Sequence, residues 1–401
     1  MTELLASLHR TVRDVGASVS NAFEPPVSDF EEIRPYRDDE VAAVLRRLAR
    51  DPTLQRDLGR YAAPSLSRWA PRLARLLVGR KLRRAFEKID SVDAFQQELA
   101  TLFERMIRDT TDGFTVTGME RLEPDLAHLF ISNHRDITLD SGFMNLALFR
   151  AGHPTTRMAI GDNLLRTGYA ADVMRLNKGF VVHRGKKGAK MAFAAMSQTS
   201  RYIRHSLETG HSVWIAQREG RAKDGRDLTD PALIKMLSLA YRKDVADITK
   251  MTERLSIVPV AVSYELDPCD ELKARELAAL AATGTYKKAP GEDLRSIITG
   301  VTGRKGRVHL SILPPFEGRF ADADAVAAEI DRQIARGFRL FPTHFLAARL
   351  AGLPCPAPEN DGKRLEEFER RLASLDPALC EQIVAQYANP VARALELGVM
   401  I

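Results

Sequence analysis

The feature that most constrains the fold is an alternation of short apolar runs with amphipathic segments, from about residue 111 to residue 316. Six runs have the length and the β-branched and aromatic content of strands: TVTGM, AHLFIS, GFVVH, SVWIA, SIVPVAVSY and RVHLSILPPF. Several of the segments between them have the three- and four-residue apolar spacing of helices. Strands that alternate with helices form a mostly parallel sheet with helices on its faces. The sequence therefore predicts an α/β fold with a central, mostly parallel sheet flanked by helices.

Helical patterns lie on both sides of this alternation. DDEVAAVLRRLARDPTL and DAFQQELATLFERMI place apolar residues at helical spacing before residue 111, and the segments 321–351 and 360–397 also predict helix. At 401 residues the chain exceeds one typical domain. We therefore predict three parts: an N-terminal helical region (1–110), an α/β domain (111–350) and a C-terminal helical tail (351–401).

Charge and cysteine content narrow the class of protein only coarsely. Fifty-nine Lys and Arg against 53 Asp and Glu give a net charge of +6, which suits phosphate-bearing ligands, acidic carrier proteins or anionic membranes. The excess is too small, and aromatic residues are too rarely interleaved with it, to favour nucleic-acid binding. The three cysteines are scattered and predict neither a disulfide framework nor a zinc site, so we expect a cytoplasmic protein.

Membrane association is predicted to be peripheral. The first twenty residues contain Glu3 and lack the apolar core of a signal peptide, and no apolar stretch is long enough to span a bilayer. Residues 68–88, RWAPRLARLLVGRKLRRAFEK, carry eight Arg or Lys against one Glu, interleaved with Trp69 and leucines. This segment is either an amphipathic helix on the inner face of an anionic membrane or a helix with a solvated basic face. For residues 337–352, also apolar and aromatic, core packing is favoured.

The stretch FISNHRDITLD, residues 130–140, carries the strongest chemical signal. AHLFIS predicts a strand and TLDSGFMNLALF predicts a helix, which puts His134 in the turn at the carboxyl end of a strand, where open α/β sheets place ligand sites. A neutral imidazole can take a proton from an alcohol if a carboxylate orients it. Asp136 and Asp140 are both candidates for that carboxylate. Each also has a structural explanation, since both fall where a helix would begin.

Two later blocks supply cations and a glycine next to predicted strands. GFVVHRGKKGAK, residues 179–190, is a strand that runs into Arg184, Lys186 and Lys187, which are suited to hold a phosphate. AQREGRAKDGRD, residues 216–227, follows SVWIA with Glu219, Gly220 and Arg221. Glycine lets the backbone approach a ligand there, and Arg can grip phosphate oxygens.

A further block, IVPVAVSYE at residues 257–265, predicts a buried strand that contains Pro259. Proline has no N–H to donate to a neighbouring strand. Its presence predicts that this strand lies at a sheet edge or contains a bulge beside the site.

The four blocks NHRDITLD, GFVVHR, REGRAKDG and IVPVAVSYE, in this order and spacing, resemble the four motifs of the glycerolipid acyltransferase family. The resemblance covers roughly residues 111–316 and implies the glycerol-3-phosphate acyltransferase-like fold. It is stronger for the glycerol-3-phosphate acyltransferase branch, because the third block reads EGR and the fourth ends in Tyr264-Glu265. Lysophosphatidic acid (1-acylglycerol-3-phosphate) acyltransferases share the layout, so the choice of acceptor stays open.

The resemblance implies a mechanism and a set of site residues. His134 would act as general base on the acceptor hydroxyl, which attacks an acyl thioester without a covalent acyl-enzyme. The co-substrate would be acyl-CoA or acyl-ACP, with no other cofactor and no metal. The positions that match acceptor binding are Arg184, Glu219, Gly220 and Arg221, and we add Arg135, Lys186 and Lys187 as further cations for the acceptor phosphate.

Two departures from the family pattern affect the predicted site. The usual motif has its carboxylate five positions after the histidine, where this chain has Leu139, and Asp140 is one position further. Either Asp140 still meets His134, or Asp136 replaces it, or the dyad is broken; we favour Asp140, which falls just inside the predicted helix. In the third block, Gln217 and Arg218 replace a pair such as Phe-Pro.

The shifted carboxylate keeps a second class of function open. A protein that retained this fold and lost the dyad would bind lipid without turnover. We favour the enzyme, because the histidine and both phosphate-binding blocks remain.

Overall fold

The structure is a computed structural model that describes residues 27–400, apart from 167, 184–187, 246, 290, 316–317 and 359–361. Within these residues the predicted α/β class is confirmed, since seven strands form one sheet with helices packed on both faces. The strands are β1 (Thr111–Thr117), β2 (Leu129–Ser132), β3 (Arg157–Gly161), β4 (Gly179–Val182), β5 (Val213–Ala216), β6 (Ile257–Tyr264) and β7 (Gly306–Ile312).

Six of these strands were predicted, and β3 was not. Its sequence, RMAIG, has a single β-branched residue, and Met158 and Gly161 are its buried positions. The local propensity of this segment to form a β-strand is therefore weak. β3 is held as a strand by parallel pairing with β4 on one side and β5 on the other.

Helices precede, separate and follow the strands. They are α1 (Asp38–Arg50), α2 (Pro52–Ala62), α3 (Pro64–Trp69), α4 (Pro71–Phe86), α5 (Val92–Thr110), α6 (Leu139–Arg150), α7 (Gly168–Leu176), α8 (Ala189–Glu208), α9 (Pro231–Ser238), α10 (Ile248–Leu255), α11 (Asp270–Thr283), α12 (Glu292–Thr302), α13 (Ala323–Gly337), α14 (Pro342–Leu350), α15 (Lys363–Ala373) and α16 (Pro377–Glu396). Short 3-10 helices occur at Val27–Phe30, Met119–Arg121 and Asp162–Arg166. None of the described helices is both long and apolar enough to cross a bilayer.

The strand order is β1-β7-β6-β2-β5-β3-β4. β6, β2, β5, β3 and β4 run parallel, and the parallel pair β1 and β7 runs in the opposite direction. Because the five parallel strands end at the same edge of the sheet, the loops after β6, β2 and β5 are neighbours. The loop after β4 starts at the far end of this edge.

The expectation that Pro259 marks an edge strand or a bulge is wrong. β6 lies inside the sheet, and Pro259 is in register with Ile131 of β2. Its carbonyl accepts a hydrogen bond from the N–H of Leu313, just after the end of β7. The nitrogen and the carbonyl of a strand residue face the same neighbouring strand, so the nitrogen of Pro259 faces β7. It lies at the position where the hydrogen-bonded pairing of β6 with β7 ends. Pairing with β2 is therefore unaffected.

The sheet separates two apolar cores. Alternate side chains of a strand point to opposite faces, so Leu129 and Ile131 of β2 enter one core and Phe130 enters the other. Helices α8, α9, α10 and α13 cover the first face, whereas α5 and α6 cover the second. Trp214 of β5 lies on the second face, the same face as α6.

The N-terminal helices have a core of their own. Val41, Leu45 and Leu48 of α1 pack with Phe95 of α5 and with Leu176 of α7. Helix α5 ends at Thr110 and β1 begins at Thr111. The N-terminal helices therefore pack against both the start of the sheet and a helix between its strands, and the division of the chain into domains stays a prediction.

The segment predicted as one helix over residues 321–351 is two helices, α13 and α14. Phe341 is extended, and Pro342 begins α14, because a residue before proline is forced out of helical geometry. Within 337–352, Phe341, Ala347 and Ala348 are buried, so core packing is the correct interpretation of this segment. The predicted C-terminal helix is also divided, since Asp376 caps α16 and Pro377 begins it.

Candidate active site

The position of His134 is fixed by the residue before it. Asn133 follows β2 and is completely buried. Its side-chain oxygen accepts a hydrogen bond from the N–H of Val262 at 2.8 Å, and its side-chain nitrogen donates to the Val262 carbonyl at 3.0 Å. The amide thus bonds to β6 with a donor and an acceptor, as a strand residue would. His134 leaves the sheet from an anchored end.

Asp140 is the carboxylate that meets His134. The distance from His134 Nδ1 to Asp140 Oδ2 is 2.8 Å, and Asp140 is completely buried in the first turn of α6. The same oxygen accepts the backbone N–H groups of Arg135 at 2.7 Å and Asp136 at 2.9 Å. The turn therefore wraps around the carboxylate, and this accommodates the extra residue between the histidine and the aspartate.

Asp136 has a different environment. Its Oδ1 accepts the backbone N–H groups of Thr138 and Leu139, each at 2.9 Å, so it caps the start of α6. Its Oδ2 packs against Gly300 so closely that an added Cβ would lie 2.3 Å away. Burial and the charge of Asp140 raise the pKa of Asp136. The geometry favours Asp140 as the partner of His134.

Tyr264 completes the surroundings of Asp140. Its hydroxyl donates to Asp140 Oδ1 at 2.8 Å across 124 positions of sequence. Burial and then the charge of Asp140 raise the pKa of Tyr264 well above its usual value, so the phenol keeps its proton at neutral pH. A carboxylate that receives two backbone N–H groups, a phenol and an imidazole fits the ionised form. The sequence identified Tyr264 as a branch marker but missed this contact.

The remaining ring nitrogen of His134 is available for chemistry. With Asp140 accepting from Nδ1, Nε2 carries the lone pair. The imidazole is 16% exposed, and its ring stands edge-on to Trp214 with 6.1 Å between centroids. A histidine oriented in this way can accept a proton at Nε2.

Arg135, a predicted ligand of the acceptor phosphate, is buried and already hydrogen-bonded. Its guanidinium donates to Asp227 Oδ2 at 2.7 Å and to the Gly225 carbonyl at 3.0 Å, and it stacks on Phe338. Its own carbonyl accepts a 2.6 Å hydrogen bond from Lys273, a buried lysine that also pairs with Asp267. These contacts join the turn to the loop 222–227. Contact of Arg135 with substrate stays a prediction.

The third sequence block is joined to His134 by a hydrogen bond between backbone groups. The N–H of Ala222 donates to the His134 carbonyl at 2.8 Å, which brings Glu219, Gly220 and Arg221 next to the turn. Gly220 has φ +76°, and a side chain there would meet no atom within 4 Å, so this backbone faces open space. Among the described residues, Nη1 of Arg221 has no hydrogen-bond partner although the atom is buried. Arg221 is therefore a predicted phosphate ligand that has an unused donor.

The second block is further along the sheet edge. β4 is the last strand, separated from β2 by β5 and β3. His183, which follows β4, lies 3.3 Å from Asp162. The predicted phosphate ligands Arg184, Lys186 and Lys187 fall outside the described residues, and their role stays a prediction.

Glu265, in the fourth block, has a structural environment that sequence reasoning did not anticipate. The carboxylate is completely buried and pairs with Arg307 of β7 at 2.7 Å and with Arg364 of α15 at 2.9 Å. Burial alone would raise the pKa of Glu265, but hydrogen bonds from these arginines outweigh it and lower the pKa. Glu265 therefore connects the sheet to the C-terminal helices.

Comparison with known proteins finds a family model that matches the part of the chain containing this site. Residues 113–263 match the protein-family model described as Acyltransferase. The matched segment contains the first three sequence blocks and nearly all of the fourth. Residues 113–263 thus carry the sequence pattern of an acyltransferase domain, as the motifs predicted.

One similar solved structure is the 1-acyl-sn-glycerophosphate (LPA) acyltransferase PlsC from Thermotoga maritima. The sequences are 17% identical, the match covers 71% of this chain and 93% of that one, and the TM-score is 0.39. A comparison with curated proteins finds no significant match.

Proposed function

We propose that this acyltransferase moves a fatty acyl group from an acyl thioester, acyl-CoA or acyl-ACP, to the hydroxyl of a lysophospholipid or of glycerol 3-phosphate in phospholipid biosynthesis. The observation that supports this most directly is the 2.8 Å hydrogen bond between His134 Nδ1 and the fully buried Asp140. It orients the imidazole as a general base despite the unusual spacing.

The reaction follows from this orientation. His134 Nε2 takes the proton of the acceptor hydroxyl as the oxygen attacks the thioester carbonyl. Asp140 stabilises the imidazolium that forms. The C–S bond then breaks, and the thiolate takes the proton from the imidazolium, which regenerates the base. The net products are an ester and a free thiol.

The acceptor phosphate would be held near the third block. Arg221 has a buried, unused donor there, and the exposed Gly220 backbone leaves room for a ligand. In this proposal Glu219 and the cations Arg184, Lys186 and Lys187 also contact the acceptor. Holding the phosphate would place the hydroxyl within reach of Nε2, which lowers the entropic part of the barrier.

The test is transfer of labelled palmitoyl from CoA and from acyl carrier protein to glycerol 3-phosphate, lysophosphatidic acid and neutral lysolipids. We expect turnover by the wild type with at least one pair, and its loss in His134→Ala. His211→Ala removes an exposed histidine that follows α8 and is the matched control. Activity retained in His134→Ala would contradict the general-base role. Lipid binding without turnover on any pair would favour the alternative, a binding protein that has lost catalysis.

A further inference from the structure

A lysine outside the segment 113–263 contacts the turn that carries the histidine. Lys273 lies in the first turn of α11 and is 2% exposed. Its Nζ donates to the Arg135 carbonyl at 2.6 Å and pairs with Asp267, which follows β6. This carbonyl belongs to the peptide group that joins Arg135 to Asp136, and the N–H of the same peptide donates to Asp140 Oδ2 at 2.9 Å. Lys273 and Asp140 thus hold opposite ends of one peptide group.

The preceding peptide group, between His134 and Arg135, is held at its carbonyl by a backbone group. The carbonyl accepts the N–H of Ala222 at 2.8 Å, and the N–H of this peptide donates to Asp140 Oδ2 at 2.7 Å. The carbonyl and the N–H of a trans peptide point in opposite directions, so a contact that fixes the carbonyl also aims the N–H. Both N–H groups that reach Asp140 are therefore aimed by contacts on the far side of their peptides.

Neither helix geometry nor burial favours a lysine at position 273. The N-terminal end of a helix carries a partial positive charge, which opposes a cation in the first turn. Removing an ammonium group from water is costly, and an ion pair in such a place often stabilises a protein no better than two apolar side chains would. The contact with the peptide group at Arg135 therefore explains the lysine better than a contribution to stability does.

We propose that Lys273 is a positioning residue for acyl transfer. By holding the Arg135 carbonyl, it keeps the N–H of the same peptide directed at Asp140, and Asp140 in turn orients His134. Without Lys273 this peptide can rotate about the single bonds on either side of it, and Asp140 then loses one of the donors that hold it against the imidazole. A less precisely held base transfers protons more slowly. The effect on the rate rests on the proposed function, whereas the effect on the peptide group does not.

The variant that tests this role is Lys273→Met/Asp267→Asn, which removes both charges of the pair. Lys273→Met alone would leave a carboxylate without its partner and would destabilise the whole fold. Asn at position 267 keeps the oxygen that accepts the Cys269 N–H at 2.8 Å. The matched control is Arg371→Met/Asp270→Asn, because Asp270 is buried in the same turn of α11 and pairs with Arg371 of α15 at 2.8 Å.

Initial rates separate positioning from a purely structural role. We expect Lys273→Met/Asp267→Asn to lower kcat by about 10- to 100-fold, because small displacements of a catalytic group have effects of this size. KM for both substrates should change by less than about twofold, since the residues proposed to bind the acceptor are unaltered. The control variant should keep kcat within about twofold of the wild type. A wild-type kcat in Lys273→Met/Asp267→Asn, or an equal loss in the control, would overturn the proposal.

Amide hydrogen exchange, resolved by residue, tests the peptide group itself and needs no turnover. In Lys273→Met/Asp267→Asn the Asp136 amide should exchange at least about tenfold faster than in the wild type, because local opening exposes its N–H. The Arg135 amide, whose peptide is still held by Ala222, should stay protected and serves as the internal control. Unchanged exchange at Asp136, or equal acceleration at both amides, would contradict the role of Lys273. Faster exchange at Asp136 alone, in a protein without turnover on any acyl pair, would support that role in holding the turn and refute the proposed function.

Discussion

At the scale of single residues, the partner of His134 is decided by which carboxylate faces the ring. Asp140 accepts from the imidazole, from two backbone N–H groups and from Tyr264, and Asp136 caps α6. The two aspartates are four positions apart and chemically identical. Their surroundings therefore assign them different tasks, one at the histidine and one at the helix start.

Asp140→Asn is expected to reduce kcat by about 10³- to 10⁴-fold, because an amide can hold the imidazole in the wrong tautomer. Asp136→Asn should cost no more than about tenfold, since Asn caps a helix about as well as Asp. Initial rates at saturating substrate, with thermal unfolding as the check on folding, distinguish the two. Equal losses in the two variants, or a larger loss in Asp136→Asn, would show that Asp140 is not the catalytic partner of His134.

At the scale of elements, the loop 222–227 is held between the catalytic turn and α16. Asn389 of α16 donates to the Asp224 carbonyl at 2.7 Å, and Gly225 packs directly on the backbone of Gln386. On the other side, Arg135 donates to the Gly225 carbonyl. A helix near the C-terminal end thus positions the segment that follows the predicted phosphate ligands.

Gly225→Ala is expected to lower the free energy of unfolding by about 2–4 kcal/mol, because φ is +79° and the new Cβ would lie 2.1 Å from the Gln386 carbonyl oxygen. Gly220→Ala, with nearly the same φ and open space around it, should cost only about 1 kcal/mol. Chemical denaturation compares the two variants. Similar losses would mean that the contact with α16 contributes little.

At the scale of the whole molecule, two buried histidines couple folding to pH. His309 lies between Thr115 and Thr117 where β7 pairs with β1, and His344 accepts the Phe341 N–H at the start of α14. Burial lowers the pKa of His309 to about 4 and that of His344 to about 3. Both imidazoles are therefore neutral in the folded protein at pH values where the unfolded chain protonates them.

Below pH ~6.5 the unfolded state binds more protons than the folded state. The contribution of these two histidines to the free energy of unfolding is therefore complete above that pH and is lost as the pH falls. Each histidine should contribute up to about 1.4 kcal/mol per pH unit between pH ~6 and pH ~4.5. Urea denaturation across this range is expected to give a flatter dependence for His309→Gln/His344→Gln than for the wild type. An unchanged slope in the double variant would place the acid sensitivity in other groups.

The local sequence pattern was enough to predict those features that depend only on residues close together in the sequence. Strand and helix periodicity predicted the α/β class, six of the seven strands and the place of His134 at the end of β2, because these are properties of a few consecutive residues. The motifs in their order predicted the match of residues 113–263 to the acyltransferase family model. The same reasoning missed β3, and it did not separate α13 from α14 or α15 from α16. Pairing with neighbouring strands decides the first case, and the prolines at residues 342 and 377 decide the helix boundaries.

What the sequence determined by itself was the class of fold and the residues from which the site is drawn. The tertiary structure alone decided that Asp140 faces His134, that Tyr264 holds Asp140 from 124 positions away, and that Pro259 lies inside the sheet where β7 ends. It also decided that α16 supports the loop after Arg221. These are contacts between residues distant in sequence or between chemically equivalent neighbours, and such contacts depend on how the elements pack.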